Sequence, residues 1–256
     1  MSNSSAQSLW FGRQRPDPRA RQRLFCFPYA GGSAMVFRQW SQLLPPAVEV
    51  LPAHLPGRQN RMSERARPRL SSLVEEIADA VRPLLDIPYA FFGHSMGAAV
   101  AFELARALRE AGAGEPAHLF VSGRRAPHLP STQAPTYDLP DAELLEEVRR
   151  LEGTPPEVFE HPELMQLMLP LLRADFEAIE TYSYTPGPPL TCPVTAFGGL
   201  RDTELSREQL EAWREHTTGR FSLRMLEGGH FFIHDARRPL LDIIAYELGR
   251  TAQANP

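Results

Sequence analysis

The stretch Gly93-His94-Ser95-Met96-Gly97 constrains this chain more than any other. An apolar run, Tyr89-Ala90-Phe91-Phe92, precedes it, and Ala98-Ala99-Val100-Ala101-Phe102-Glu103-Leu104-Ala105 follows. Those flanks predict strand, tight turn and helix, with a serine at the apex. In a G-x-S-x-G nucleophile elbow the serine takes a strained backbone conformation and lifts its hydroxyl above the sheet edge. The glycines are needed because side chains there would collide with the adjoining strand and helix. With 17 glycines in 256 residues, the pattern alone also fits a structural turn serine. The strand before and the helix after are what favour a nucleophile.

The rest of the chain supplies the frame such an elbow needs. Short apolar runs at Leu24–Phe27, Val48–Leu51, Tyr89–Gly93, His118–Gly123, Val194–Phe197 and Phe221–Leu226 read as strands. Helical periodicity fills Ala34–Leu44, Leu70–Leu85, Met96–Glu110, Ser206–His216 and Pro239–Thr251. This alternation predicts an α/β fold, a mostly parallel central sheet with helices on both faces. Leu9-Trp10-Phe11 reads as an opening edge strand, and residues 1–8 as disordered. Between residues 126 and 189 the alternation stops. Two helical stretches, Pro140–Leu151 and Pro162–Tyr182, replace it, with Pro170 expected to kink or break the second. The chain therefore reads as one domain over residues 1–256 with a helical lid inserted at about 126–189.

Three polar residues stand just past three expected strands: Ser95, Asp202 after Gly198-Gly199-Leu200-Arg201, and His230 after Glu227-Gly228-Gly229. Nucleophile, acid, histidine is the chain order of α/β-hydrolases, and such residues converge at the carboxyl ends of a parallel sheet. Ser95 would attack a carbonyl carbon, His230 would take and return its proton, and Asp202 would hold the imidazole tautomer. The oxyanion needs two backbone donors. Met96, next after the nucleophile, supplies one, and Ala30 in the loop Pro28-Tyr29-Ala30-Gly31-Gly32 supplies the other. Tyr29 and Phe231, beside Ala30 and His230, are candidate substrate contacts. The glycine loop lacks the spacing of a phosphate cradle. Glu204 lies further from its strand than Asp202, and Asp235 follows His230 too closely to reach round it. His230 and His234 lack the H-E-x-x-H pattern and a third ligand, so no metal site is expected. His94 is expected to pack against the top of the sheet.

Composition narrows the setting. A net charge of −4 offers no basic excess for nucleic acid. Cys26 and Cys192 are too few for a disulfide framework, and Cys26 within an apolar run reads as a small buried hydrophobe. Residues 1–23 lack the apolar core of a signal peptide, and no run is long enough to span a bilayer. A cytoplasmic monomer is expected.

The motifs carry a resemblance over nearly the whole chain. Leu24-Phe25-Cys26-Phe27-Pro28-Tyr29-Ala30-Gly31-Gly32, Leu55-Pro56-Gly57-Arg58, the elbow, Gly153-Thr154-Pro155-Pro156-Glu157, Leu172-Arg173-Ala174-Asp175-Phe176, Gly199–Asp202 and Gly228-Gly229-His230-Phe231-Phe232 resemble the type II thioesterases of polyketide and nonribosomal peptide biosynthesis. That resemblance implies an α/β-hydrolase fold with a helical lid. It implies hydrolysis of acyl groups from the phosphopantetheine thiol of acyl or peptidyl carrier domains, which frees stalled synthases. It implies no cofactor of the enzyme's own, since phosphopantetheine belongs to the substrate, and only transient contact with the carrier. The arginine-rich loop Arg13–Arg23, with Arg58 and Arg61, is the candidate surface for an acidic carrier. The residues taken alone also fit a carboxylesterase or acyltransferase on small esters, and a hydrolase-like protein that only binds.

Overall fold

The computed structural model describes residues 9–12, 17–131, 133–151, 153, 159 and 161–254. The expectations for residues 1–8, Arg13 and Arg15, and the stretch Thr154-Pro155-Pro156-Glu157 lie outside them. Among the described residues, one sheet contains β1 (Gln22–Phe27), β2 (Val48–Pro52), β3 (Tyr89–His94), β4 (His118–Ser122), β5 (Val194–Gly199) and β6 (Phe221–Leu226). Their order is β2-β1-β3-β4-β5-β6, and every neighbouring pair is parallel. Strands β1, β3, β4 and β5 are buried at every position, as continuous apolar runs demand.

The two-residue period of a strand divides the core. Phe25, Phe27 and Phe91 face one side, against Leu73, Ile77 and Val81 of α1 (Leu70–Val81) and Val100, Leu104 and Leu108 of α2 (Met96–Glu110). Leu24, Cys26 and Phe92 face the other, against Trp40 and the Leu240, Leu241, Ile244 and Leu248 stripe of the last helix, Arg237–Ala254. Between β4 and β5 come α3 (Asp141–Arg150) and α4 (Pro162–Glu180). They share an apolar cluster of their own: Leu144 and Val148 against Met165, Leu169 and Leu172.

Local expectations fail at Leu9–Phe11 and, as regards a break in the helix, at Pro170. Leu9–Phe11 is helical, not an edge strand. A strand would send Trp10 and Phe11 to opposite faces, whereas a helical turn lets both bury on one core. Phe11 meets Phe25 edge-on at 5.1 Å, and the Trp10 carbonyl accepts the His54 N–H at 2.7 Å. Helix α4 runs unbroken through Pro170. Pro170 and Gln166, whose carbonyl loses its partner there, both face solvent, where water can replace the missing donor.

Two histidines outside the elbow tie stability to pH. His118 is fully buried between sheet and last helix, with Nε2 2.9 Å from Thr195 Oγ1, and burial pushes its pKa down to about 4. His216 is also pushed down to about 4, by burial and then by His128, whose Nδ1 lies 2.7 Å from its Nε2. In the unfolded chain both protonate near 6.5. Their contribution is therefore complete above pH 6.5 and is lost as pH falls toward 4, by up to about 3 kcal/mol for His118. Denaturant unfolding at pH 7 and pH 5 should show this loss, and His118→Gln should flatten it. An unchanged slope in that variant would contradict the assignment.

Candidate active site

The elbow is built by crowding. A Cβ at Gly97 would run into the carbonyl oxygen of Phe27, and one at Gly93 into the carbonyl of Gly97. Strands β1 and β3 and the start of α2 can touch this closely only because neither position carries a side chain. Between them Ser95 sits at φ 53, ψ −114, a conformation that L-residues avoid. Its N–H donates to the carbonyl of Ser122 at the end of β4, at 2.7 Å. Met96, fully buried, opens α2, so its N–H stands at the positive end of a 15-residue helix.

Asp202 and His230 follow β5 and β6, and the structure brings them together. His230 Nδ1 lies 2.9 Å from Asp202 Oδ2, and the Glu204 N–H donates to Asp202 Oδ1 at 2.8 Å. Asp202 is 1% exposed, so its carboxylate is reserved for these partners. With Nδ1 engaged, Nε2 is the nitrogen left for another group. His230 and Ser95 line the same cavity of about 180 Å³, together with Tyr29, Ala30 and Phe231. Glu204, the rival acid, has its own carboxylate oxygens taken by Arg150 and Gln133.

A second cavity of about 370 Å³ adjoins the first and shares Tyr29, Ala30, Leu151, Phe176 and Phe231 with it. Its other walls are mostly apolar, with Val148, Leu164, Met168 and Leu172 from the insertion and Met35 and Val36 from the body, alongside the polar Ser33 and His234. Tyr29 is set rigidly in the partition. It meets Phe231 edge-on at 4.7 Å, its hydroxyl lies 3.1 Å from His234 Nε2, and burial pushes its pKa up to about 12. His94 packs behind the site, as expected. Its Nδ1 lies 2.8 Å from Ser122 Oγ, its ring 5.3 Å from that of His230. Burial first, then His230 and His234, holds its pKa well below the ordinary value, so it is neutral.

Two arginines read as docking residues are instead structural. Arg61 is 2% exposed, paired to Glu64 and lying over the Trp10 ring at 4.1 Å. Arg58 is buried and grips Asp175 of α4 with two bonds of 2.8 Å. The same Nη1 donates to the Gly32 carbonyl at 2.7 Å, and Asp175 Oδ2 accepts the Gly31 N–H at 2.8 Å. A Cβ on Gly31 would stand 2.6 Å from Leu172, one turn earlier on α4. The loop that presents Ala30 is thus held from both sides by one buried ion pair. Sequence reasoning missed this role; the signal was an arginine and an aspartate, each inside a motif with no surface function.

Residues 22–248 match the thioesterase domain family. The chain belongs to that family. It is 43% identical over 248 residues to the gramicidin S biosynthesis protein GrsT of Aneurinibacillus migulanus, covering 97% of each. Solved thioesterases share the fold. RedJ, from the prodiginine pathway of Streptomyces coelicolor, matches with a TM-score of 0.85 at 43% identity, covering 94% of this chain and 99% of RedJ. The type II thioesterase BorB of the borrelidin cluster matches with a TM-score of 0.86 at 41% identity, covering 94% and 98%. The thioesterase fold here is thus of the α/β-hydrolase type, as the strand–helix alternation predicted.

Removing the Asp175 carboxylate leaves a buried guanidinium and the Gly31 N–H without their acceptor. Asp175→Ala should destabilise the thioesterase by about 3–5 kcal/mol, read as a lowered denaturant midpoint. A change below 1 kcal/mol would mean that the ion pair is not holding the loop.

Proposed function

We propose that this protein is a serine thioesterase that frees acyl groups from the phosphopantetheine thiols of carrier domains in polyketide or nonribosomal peptide synthesis. The observation that carries this reading is the Asp202–His230 hydrogen bond, with His230 lining one cavity with a serine at a strained elbow. The relatives described above, named for such pathways, support the choice of substrate.

Ser95 Oγ attacks the thioester carbonyl while His230 Nε2 takes its proton, and buried Asp202 stabilises the imidazolium. Neutral His94 puts no charge beside that cation. The oxyanion is received by the N–H groups of Met96 and Ala30, fixed by α2 and by the Arg58–Asp175 clamp. A thiolate leaves with little acid assistance, so His230 serves mainly as a base, first toward Ser95 and then toward the water that hydrolyses the acyl-enzyme. Each step uses side chains and backbone alone and calls for no cofactor. Tyr29 and Phe231 form the partition against which the acyl chain packs. The insertion acts as a lid, since Leu151, Phe176 and Ile179 wall the cavity around Ser95. Contact with the carrier is brief. Among the described residues no helix is long and apolar enough to cross a membrane, and we place the enzyme in the cytoplasm beside its synthase.

The test is release from a panel of acyl-loaded carrier proteins, with a p-nitrophenyl ester for comparison. Ser95→Ala should lose roughly 10⁴-fold or more in turnover, and Asp202→Asn on the order of 10³–10⁴. Equal release by the parent and Ser95→Ala would remove Ser95 from the chemistry. Cleavage of the free ester alone would replace the carrier thioester with an oxyester substrate.

A further inference from the structure

A third cavity continues the line that begins at Ser95. It has a volume of about 240 Å³ and is walled by Met35, Val36, Arg38, Gln39 and Arg237. Met35 and Val36 also wall the cavity of about 370 Å³, which in turn shares Tyr29 and Phe231 with the cavity of Ser95. Shared walls thus set three cavities in series, from the nucleophile outward. Met35 is 51% exposed, so the far end of the series opens to solvent.

Local folding explains why cations collect at that end. Over residues 37–40 the two aromatic rings, Phe37 and Trp40, are buried and meet edge-on at 4.9 Å. Arg38 and Gln39 between them are left facing outward. Arg237 opens the last helix, and its Nη1 donates to Gln39 Oε1. Its Nε is buried and has no acceptor. Among the described residues neither Arg38 nor Arg237 has a carboxylate within ion-pair reach, and Asp242 of the same helix is taken by Arg238 at 2.9 Å. The charge is felt nearby: after burial, Arg237 is the next cause that holds the His234 pKa below its ordinary value. In a chain of net charge −4, two guanidinium groups left without acids on one cavity are a local reversal of sign. A buried Nε–H without an acceptor is costly, and an anion seated there would relieve that cost.

We propose that Arg38 and Arg237 form a phosphate subsite, which receives the phosphodiester of the phosphopantetheine arm while the thioester lies at Ser95. The inference rests on the thioesterase reading, which puts the thioester carbonyl at Ser95. An arm joined to that carbonyl has to leave the cavity, and its phosphate is separated from the sulfur by the whole pantetheine chain. The mostly apolar middle cavity suits the chain, with Ser33 and His234 as polar groups along it. The two forked guanidinium groups suit the phosphate oxygens. The acyl group then stays on the Ser95 side of the partition formed by Tyr29 and Phe231. Arg58 and Arg61, the arginines expected to meet the carrier, are committed to Asp175 and Glu64, whereas Arg38 and Arg237 are not.

The test compares butyryl-pantetheine with butyryl-phosphopantetheine on the parent enzyme, Arg38→Gln, Arg237→Gln, the double glutamine variant and the double lysine variant. The parent should favour the phosphorylated substrate in kcat/KM, mainly through KM. That preference should fall roughly 10-fold in the double glutamine variant, less in each single one and least in the lysine pair. It should also fade as salt is raised. A parent without phosphate preference overturns the proposal, as does a preference that the double glutamine variant leaves unmoved, the result expected of arginines that merely hold Gln39. A second arm uses butyryl-loaded carrier protein. Dependence on the two arginines confined to this substrate assigns them to the carrier's own acidic surface and also overturns the subsite. Calorimetric binding of phosphopantetheine against pantetheine to Ser95→Ala gives a readout independent of turnover. Tighter phosphopantetheine binding that disappears in Ser95→Ala/Arg38→Gln/Arg237→Gln supports the proposal, and equal binding of the two overturns it. If the parent hydrolyses no thioester, the proposed function fails while the binding arm still decides whether the phosphate subsite exists.

Discussion

The close approach of three backbones at Gly93 and Gly97 is the constraint from which the site follows. Because no Cβ fits at either position, β1, β3 and the start of α2 are pressed together. Ser95 between them is driven to φ 53, at a cost on the order of 1–3 kcal/mol. The buried ladders from β1 through β4 hold that strain, including the Ser95 N–H bond to Ser122. The same contact reaches the carbonyl of Pro28, and so brings the loop after β1 beside the first turn of α2. Ser95 and the backbone groups proposed as oxyanion donors are juxtaposed by one packing event. A side chain at Gly97 would therefore damage more than the turn in which it sits.

Much of this was legible in the chain because it depends on local chemistry. The α2 and β6 spans agree with their apolar patterns at both ends, and the other strands agree to within a few residues. The placement of Ser95, Asp202 and His230 near one another was readable because each follows a strand, and a parallel sheet gathers strand ends on one rim. What failed depended on surroundings that one sequence does not display. Trp10 and Phe11 look like strand residues until the core that receives them is known. Pro170 looks like a helix breaker until it and Gln166, whose carbonyl it leaves without a donor, are found on the exposed face of the helix. Ala34–Leu44 looks like one helix but divides into a turn at Ala34–Phe37 and another at Trp40–Leu43.

Arg58 shows the limit more sharply. An arginine after Leu-Pro-Gly is solvated in most contexts, and 117 residues separate it from Asp175. Neither periodicity nor composition couples such distant positions. Only the fold shows that a loop carbonyl, a loop N–H and a helix carboxylate converge on one guanidinium. Burying that pair carries a desolvation cost, and by that measure alone a hydrophobic pair of equal volume is at least as stable. An apolar pair would satisfy neither the Gly31 N–H nor the Gly32 carbonyl. The charges thus do what packing alone would not: they fix the orientation of peptide groups in the loop beside the cavity that Ser95 lines.

This unequal use of charge bears on how the insertion can behave. Helix α4 is fastened to the body through Arg58–Asp175, which is buried and strongly coupled to the loop beneath it. Helix α3 reaches the body through Arg150–Glu204, and Arg150 is half exposed to water. Exposed pairs contribute about 0–1 kcal/mol, whereas breaking a buried pair costs several. Thermal opening of the insertion should therefore begin at α3, since α4 cannot lift without exposing the ion pair and releasing Gly31. A substrate could then be admitted past Leu151 at the end of α3 while Ala30 and Met96 stay in place. Under the proposed lid role, access and preorganisation, which usually compete in a lidded site, would be assigned to different helices.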